Sequence, residues 1–361
     1  MKAELIDKRK YIYLEVMRVI AIFFVIFNHT GDDGFFLFSV CPPNGLPFWV
    51  YLFISVFCKF SVPLFFAISG ALMLGKETET LGKIWGKRIL RMVVLLIVFS
   101  FAYYCDTIWA LGKKIDLGKF FSFLYAADLK YQLWFLYSYI AYLVSIPFLQ
   151  ALVKTLEKKY YFYLIVIALF MNGVLPIMEY LIVQDRFTLN ENLKVTWLVG
   201  NIVLYPCVGY FLQHKIEIKK KDIVCLWVIN AIGICVSCYM TYYKGIRMGF
   251  FEETKSQAFH NSFVLLNMIC IFITIKYIFE RIELAKWGER IVYSLGECTF
   301  GIYLFHAFFL SHSIRGDIIK FFKKLGINYM VSTLIMCLCV MILSWCLVFI
   351  IKKVPFLKKI I

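Results

Sequence analysis

Arg18 and His29 stand eleven positions apart inside the first long apolar run of the chain. At 100° and 1.5 Å per residue, a helix brings both side chains to nearly one face, about 16 Å apart. An ionisable residue at the centre of a membrane helix costs roughly 2.5–3.5 kcal/mol on insertion scales. Two on one face predict a polar cavity that crosses much of a bilayer, holding an anion at one end and doing proton chemistry at the other. An imidazole, with its ordinary pKa of ~6.5, suits a general base acting on a hydroxyl. A guanidinium suits a phosphate or an amide oxygen. Glu15 lies three residues before Arg18 and shares its face. The same span therefore also reads as a structural ion pair with an interfacial histidine. Asp32 and Asp33 follow closely, either to orient the imidazole or to mark a solvated turn.

Other residues fit such a cavity. Arg88 and Arg91, three apart at the mouth of the third run, share a face and present paired phosphate donors; snorkelling interfacial arginines look the same. Lys87 beside them reads as an interface anchor. Tyr303 and His306 are also three apart, at a depth comparable with His29, and suit acceptor or oxyanion binding or a helix-tying hydrogen bond. Trp134 is placed to stack on a sugar or to join the interfacial aromatic belt. Lys59 sits midway through the second run, too deep to snorkel easily, and faces a cavity or an acidic partner. His214, His260 and His312 read as loop or interface residues, and Glu179 as a snorkelling one.

These residues must be positioned by membrane helices. The chain is 62% hydrophobic with mean hydropathy +0.78, well above the ~45–50% apolar content of soluble domains. Ten runs are long enough to span: roughly 11–30, 46–74, 88–111, 131–151, 160–183, 195–213, 222–243, 259–280, 291–312 and 327–351. Pro63 is expected to kink or tilt the second. The first carries Arg18 and His29 and lacks a small-residue cleavage pattern, so it does not read as a signal peptide. The expected architecture is an all-α polytopic membrane protein of about ten transmembrane helices, residues 1–361 forming a single domain with no appended soluble domain.

Most of the 39 Lys and Arg fall in segments that a cytoplasmic N-terminus places inside, and the first outer loop has none. The C-terminus is then also cytoplasmic. Two outer loops run against the trend, with Lys113, Lys114, Lys119 and Lys130 in one and Arg315, Lys320, Lys323 and Lys324 in the other. The net charge of +16 is accounted for by loops lying on anionic lipid and needs no nucleic acid. The twelve cysteines lie almost wholly in apolar runs without metal-ligand spacing, and no metal is expected.

Several segments resemble the membrane acyltransferase-3 family. They are the Arg-x10-His of the first span and Phe60-Ser61-Val62-Pro63-Leu64-Phe65-Phe66-Ala67-Ile68-Ser69-Gly70 in the second. They continue with Lys87-Arg88-Ile89-Leu90-Arg91, with Leu133-Trp134-Phe135-Leu136-Tyr137 before Pro147, and with Leu295-Gly296-Glu297-Cys298-Thr299-Phe300-Gly301-Ile302-Tyr303-Leu304-Phe305-His306. They occur in family order from the first span to the ninth.

The resemblance implies a multi-pass plasma-membrane enzyme, of bacterial type, that moves an acyl group, usually acetyl, from cytoplasmic acyl-CoA. The acceptor is a hydroxyl of an extracytoplasmic or lipid-linked glycan. It also implies that Arg18 and His29 are the essential pair, with Arg88 and Arg91 binding CoA. Two positions depart from the pattern. Gln132 stands where many members have His, and Thr299, which keeps a hydroxyl, where Ser is common. Two alternatives stay open: an O-succinyltransferase of exopolysaccharide, and a transport module for a small solute such as serine, as in similar domains fused to racemases.

Overall fold

The computed structural model describes residues 11–77, 79–126, 131–183, 187–251, 259–311 and 314–355. Among them the regular structure is helical, with no strand. The helices are α1 (Ile12–Asn28), α2 (Leu46–Met73), α3 (Leu81–Ala110), α4 (Leu117–Ala126), α5 (Trp134–Thr155) and α6 (Lys158–Val183). They continue as α7 (Leu204–His214), α8 (Lys220–Met248), α9 (Val264–Phe279), α10 (Lys286–Ser311), α11 (Ile314–Lys324) and α12 (Tyr329–Ile351).

Each of the ten apolar runs contains helix, but among the described residues only seven helices are long and apolar enough to cross a membrane: α2, α3, α5, α6, α8, α10 and α12. The other three are shorter. α1 has 17 residues and α9 has 16. The run at 195–213 is broken by Val195, at φ 41°, and by extended Gly200 into a single turn and the 11-residue α7. These short helices lie inside the bundle: most of α7 and α9 is buried. Irregular backbone at membrane depth is tolerated where protein rather than lipid surrounds it.

α1 is the hub, packed against α2, α9, α10 and α12. Its residues Met17, Ala21, Ile26 and Phe27 are fully buried. The outer helices show the opposite pattern. Leu90, Val94, Ile97, Val98 and Phe101 form one exposed apolar stripe along α3 at helical spacing, the face expected to meet lipid chains.

Where α2 is not regular α-helix, the cause is local. Pro63 has no N–H to give the carbonyl four residues back, that of Lys59, and the helix tightens to a 3-10 turn over Cys58–Phe60. The expected kink is thus a winding change that sets where Lys59 emerges. α1 ends at His29, with Gly31 at φ 56°. The hydroxyl of Thr30 donates to the Phe27 carbonyl (2.7 Å) and accepts from the Phe35 amide (2.9 Å), folding the following segment back under the helix end.

Candidate active site

His29 closes α1, and His306 comes from the last third of α10. The two rings meet with Nδ1 of His29 3.2 Å from Nε2 of His306. His306 is completely buried, and its Nδ1 lies 2.6 Å from the carbonyl oxygen of Tyr303. A carbonyl only accepts, so that nitrogen carries the proton and Nε2 of neutral His306 is an acceptor. His29 Nδ1 then faces His306 as donor, and the same ring also bonds to the Val25 backbone, so Val25 and His306 together hold the orientation of an imidazole suited to general-base chemistry. Asp33 does not have that part. Its carboxylate accepts from the Tyr329 hydroxyl and its carbonyl from the Thr333 hydroxyl, tying the loop after α1 to α12.

Two cavities meet at this histidine. The first, about 320 Å³, runs back along α1 past Arg18, Ser69, Arg91, Gln132, Glu297 and Tyr303. The second, about 510 Å³, opens beyond the end of α1 between α2, α6 and the segments before α7 and α9, and contains Lys59. Val25, His29, Val62 and Trp134 line both. The polar stripe expected along α1 is thus a pair of chambers that share a wall, with His29 in it.

Arg18 reaches the first cavity while bonded to Glu15 Oε1 at 2.5 Å. The other Glu15 oxygen is buried without a hydrogen-bond partner. A Cβ on Gly296 would sit 2.1 Å from that oxygen, so a larger residue there would push the Glu15 carboxylate aside. Tyr303 lines the cavity and its hydroxyl donates to the Gln132 backbone carbonyl at 2.5 Å. Gln132 itself is buried and lines the cavity, with its side-chain amide beside the Tyr103 hydroxyl. Reading it only as a departure from a histidine pattern missed this amide.

The two arginines of α3 part company. Residues Ile84–Ile89 form a π turn, a wide winding that hydrophobic periodicity does not reveal. Arg88 turns back to Glu79 in a two-pronged pair, Nε–Oε2 2.7 Å and Nη2–Oε1 2.8 Å, while Arg91 lines the first cavity. The expectation that both present one shared phosphate face is corrected: Arg88 borders a separate small pocket beside Glu79.

Arg88 first, and Lys83 after it, hold the Glu79 carboxyl down from its ordinary 4.5 to about 2. With the folded value depressed, the stabilisation is complete above pH 4.5 and vanishes as pH falls toward 2. Thermal unfolding in detergent should accordingly show wild type more stable than Glu79→Gln above that window, and the two converging below it. A difference that stays constant with pH would remove the pair from the acid stability of the fold.

Further expectations change with the structure. His260 does lie in the turn before α9, but it is buried there, with Nε2 3.0 Å from the Ser55 hydroxyl. His214 Nε2 donates to the Ala71 carbonyl at 2.8 Å. Glu179 does not snorkel but accepts from the Leu189 amide at 2.6 Å. Lys59 lies over the Phe35 ring, 4.4 Å from its centre, and lines the second cavity. Trp134 is in both cavity walls. His312 lies outside the described residues.

No curated protein and no solved structure gives a significant match to the sequence. The family model described as an acyltransferase domain matches residues 11–350, from the start of α1 to the end of α12 and through every residue of the site above. The chain belongs to the acyltransferase-3 family and is a multi-pass membrane acyltransferase.

Proposed function

We propose that the protein is an O-acyltransferase that passes an acyl group, acetyl for preference, from cytoplasmic acyl-CoA to a hydroxyl of an extracytoplasmic or lipid-linked glycan. The observation that carries this is the position of His29 between two cavities. One has arginines in its wall and the other is lined by asparagines, a serine and a single lysine. A donor and an acceptor entering from opposite ends would meet at one imidazole. A transport path has less use for a histidine whose orientation is held in part by a second histidine.

On this reading Arg91 and Arg18 hold polar oxygens of the CoA arm along the first cavity. Its 320 Å³ is at the small end of ligand pockets and suits an extended pantetheine chain better than a nucleotide. His29 Nε2 takes the proton of the acceptor hydroxyl as its oxygen bonds to the thioester carbon. The carbon–sulfur bond breaks, and the proton passes from His29 to the departing thiolate. The buried amide N–H of Gln132 supplies a donor to the acyl oxygen as charge grows on it. Plasma-membrane location in a bacterium belongs to the same proposal.

The test is release of free CoA from acetyl-CoA by the purified protein, with and without an envelope glycan extract, using acetyl label to follow the glycan. Release that needs the glycan, with label recovered in it, is expected. Absence of both CoA binding and release overturns the reading in favour of transport.

The two arginines give an internal check. Arg91→Ala should raise KM for acetyl-CoA about 10- to 100-fold, the worth of one hydrogen bond to a charged group. Arg88→Ala should raise it less, since that side chain is engaged by Glu79. Equal effects from both would mean that Glu79 releases Arg88 to the donor. No effect from either would make them lipid anchors.

A further inference from the structure

Two short helices at one end of the bundle carry lysines where the charge pattern disfavours them. α4 follows α3, and α11 follows α10. Phe99 of α3 meets Phe305 of α10, and Tyr103 stacks on Phe308 with ring centres 4.0 Å apart. The two long helices therefore run in one direction, and α4 and α11 leave them at the same membrane surface. That surface is the one the charge pattern places outside, where short loops are normally poor in Lys and Arg. Yet Lys113, Lys114 and Lys119 before and within α4, and Lys320, Lys323 and Lys324 on α11, are all exposed. Against these stand the exposed carboxylates of Asp116, 3.8 Å from the Lys119 ammonium, and Asp317.

Each helix is divided lengthwise into three faces. On α11, buried Ile319 and half-buried Ile318 turn to the protein, where the helix packs on α12 and α10. Phe321 and, just past the helix end, Leu325 are four apart and 59% and 61% exposed. Lys320 and Lys324 are likewise four apart, about 100° round the helix from that apolar pair. On α4, Phe120 seats against Phe101 and Tyr104 of α3. Leu117, Phe121 and Tyr125 form an exposed apolar stripe at four-residue spacing, and Lys119 lies on the remaining face. A helix in water gains nothing from such a stripe, and a helix in hydrocarbon cannot keep the lysines. The three faces together fit a helix lying in the membrane interface, its apolar stripe among acyl chains and its ammonium groups level with the lipid phosphates.

We infer that α4 and α11 form a basic collar that binds anionic phospholipid of the outer leaflet, the lysines on its phosphate and the apolar stripes against its chains. Charge complementarity selects this occupant. Ammonium and phosphate make charge-assisted hydrogen bonds, and each Lys near an anionic lipid surface is worth about fivefold in affinity. A zwitterionic headgroup carries a cation of its own, which the lysines repel. The collar lies outside both cavities and is independent of the acyltransferase reading. It bears on the site through its supports. α10 carries Tyr303 and His306, and α12 holds the loop after His29 through Tyr329 and Thr333. Lipid clasped by α11 would fix the depth of both helices in the bilayer.

Native mass spectrometry and thermal shift of the detergent-solubilised full chain test it, with dioleoyl phosphatidylglycerol and dioleoyl phosphatidylcholine as the two lipids. Wild type should bind phosphatidylglycerol about 10- to 100-fold tighter, and its thermal midpoint should rise with that lipid and not with the other. Lys113→Gln, Lys114→Gln, Lys119→Gln, Lys320→Gln, Lys323→Gln and Lys324→Gln combined should bring the lipids to parity. Arginine at the same six positions should keep the preference. All six side chains are exposed, so the glutamine protein should melt with wild type before lipid is added. Equal affinities in wild type, or a preference that survives the glutamine changes, would overturn the assignment. So would glycerol 3-phosphate binding as tightly as the lipid, which would mark a site for free phosphate. Alginate binding as tightly would mark a site for an acidic glycan and overturn it too.

Discussion

Alanine at position 29 should lower acyl transfer about 10²- to 10⁴-fold, the usual worth of a positioned general base, while acetyl-CoA affinity stays close to wild type. The affinity should hold because the groups assigned to the donor, Arg18 and Arg91, lie further along the first cavity. His306 lets the same experiment test mechanism rather than mere need for a residue. If its Nε2 helps to orient His29, His306→Ala should cost less than His29→Ala, because imidazole chemistry persists in a fraction of orientations. His306→Gln should recover part of the loss, since a carboxamide oxygen can accept from His29 Nδ1. Single-turnover transfer of labelled acetyl measures both. His29→Ala within tenfold of wild type would remove His29 as the base. A glutamine no better than alanine at 306 would reduce that histidine to packing.

The parts of this site that the sequence discloses are those carried by one helix. Arg18 and His29 share α1, and a period of 3.6 is enough to align them. Tyr303 and His306 share α10 for the same reason, but their meeting with α1 and α5 is tertiary and has no local signal. The π turns at Ile84–Ile89 and Phe170–Val174 explain two further failures. Each changes the winding where a functional side chain emerges, so Arg88 leaves the face of Arg91 and Asn172 enters a chamber no periodicity predicts. The asparagines of that chamber come from α1, α6 and two connecting segments, and isolated Asn residues in apolar runs carry no pattern. Element length is hidden for a related reason: hydropathy measures apolar content, not length between breaks, and the short α1, α7 and α9 are apolar because much of each is buried by protein.

Folding itself should hinge on one helix crossing that these apolar runs conceal. Gly70 of α2 and Gly209 of α7 face each other's backbone: a Cβ on Gly70 would lie 2.0 Å from the Pro206 carbonyl oxygen, and one on Gly209 2.0 Å from that of Ala67. The spacing is reciprocal, Ala67 with Gly70 and Pro206 with Gly209. It is the close approach that small residues permit between membrane helices. Alanine gains about 1 kcal/mol of helix propensity over glycine, whereas overpacking costs typically 1–3 kcal/mol and at times more. Here the clash is with backbone on both sides, which cannot rotate away, so the clash should win. Gly70→Ala and Gly209→Ala should lower the thermal midpoint in detergent and the yield of folded protein. Gly288→Ala is the control: nothing lies within 4 Å of a Cβ there, so propensity alone should leave stability equal or slightly raised. A Gly70→Ala protein as stable as wild type would mean that α2 and α7 can separate at little cost. α2 supplies Ser69 to one cavity and Lys59 to the other, and Tyr205 of α7 borders the second. Separation at that crossing would therefore open the wall between donor and acceptor, and activity should fall in step with the folded fraction.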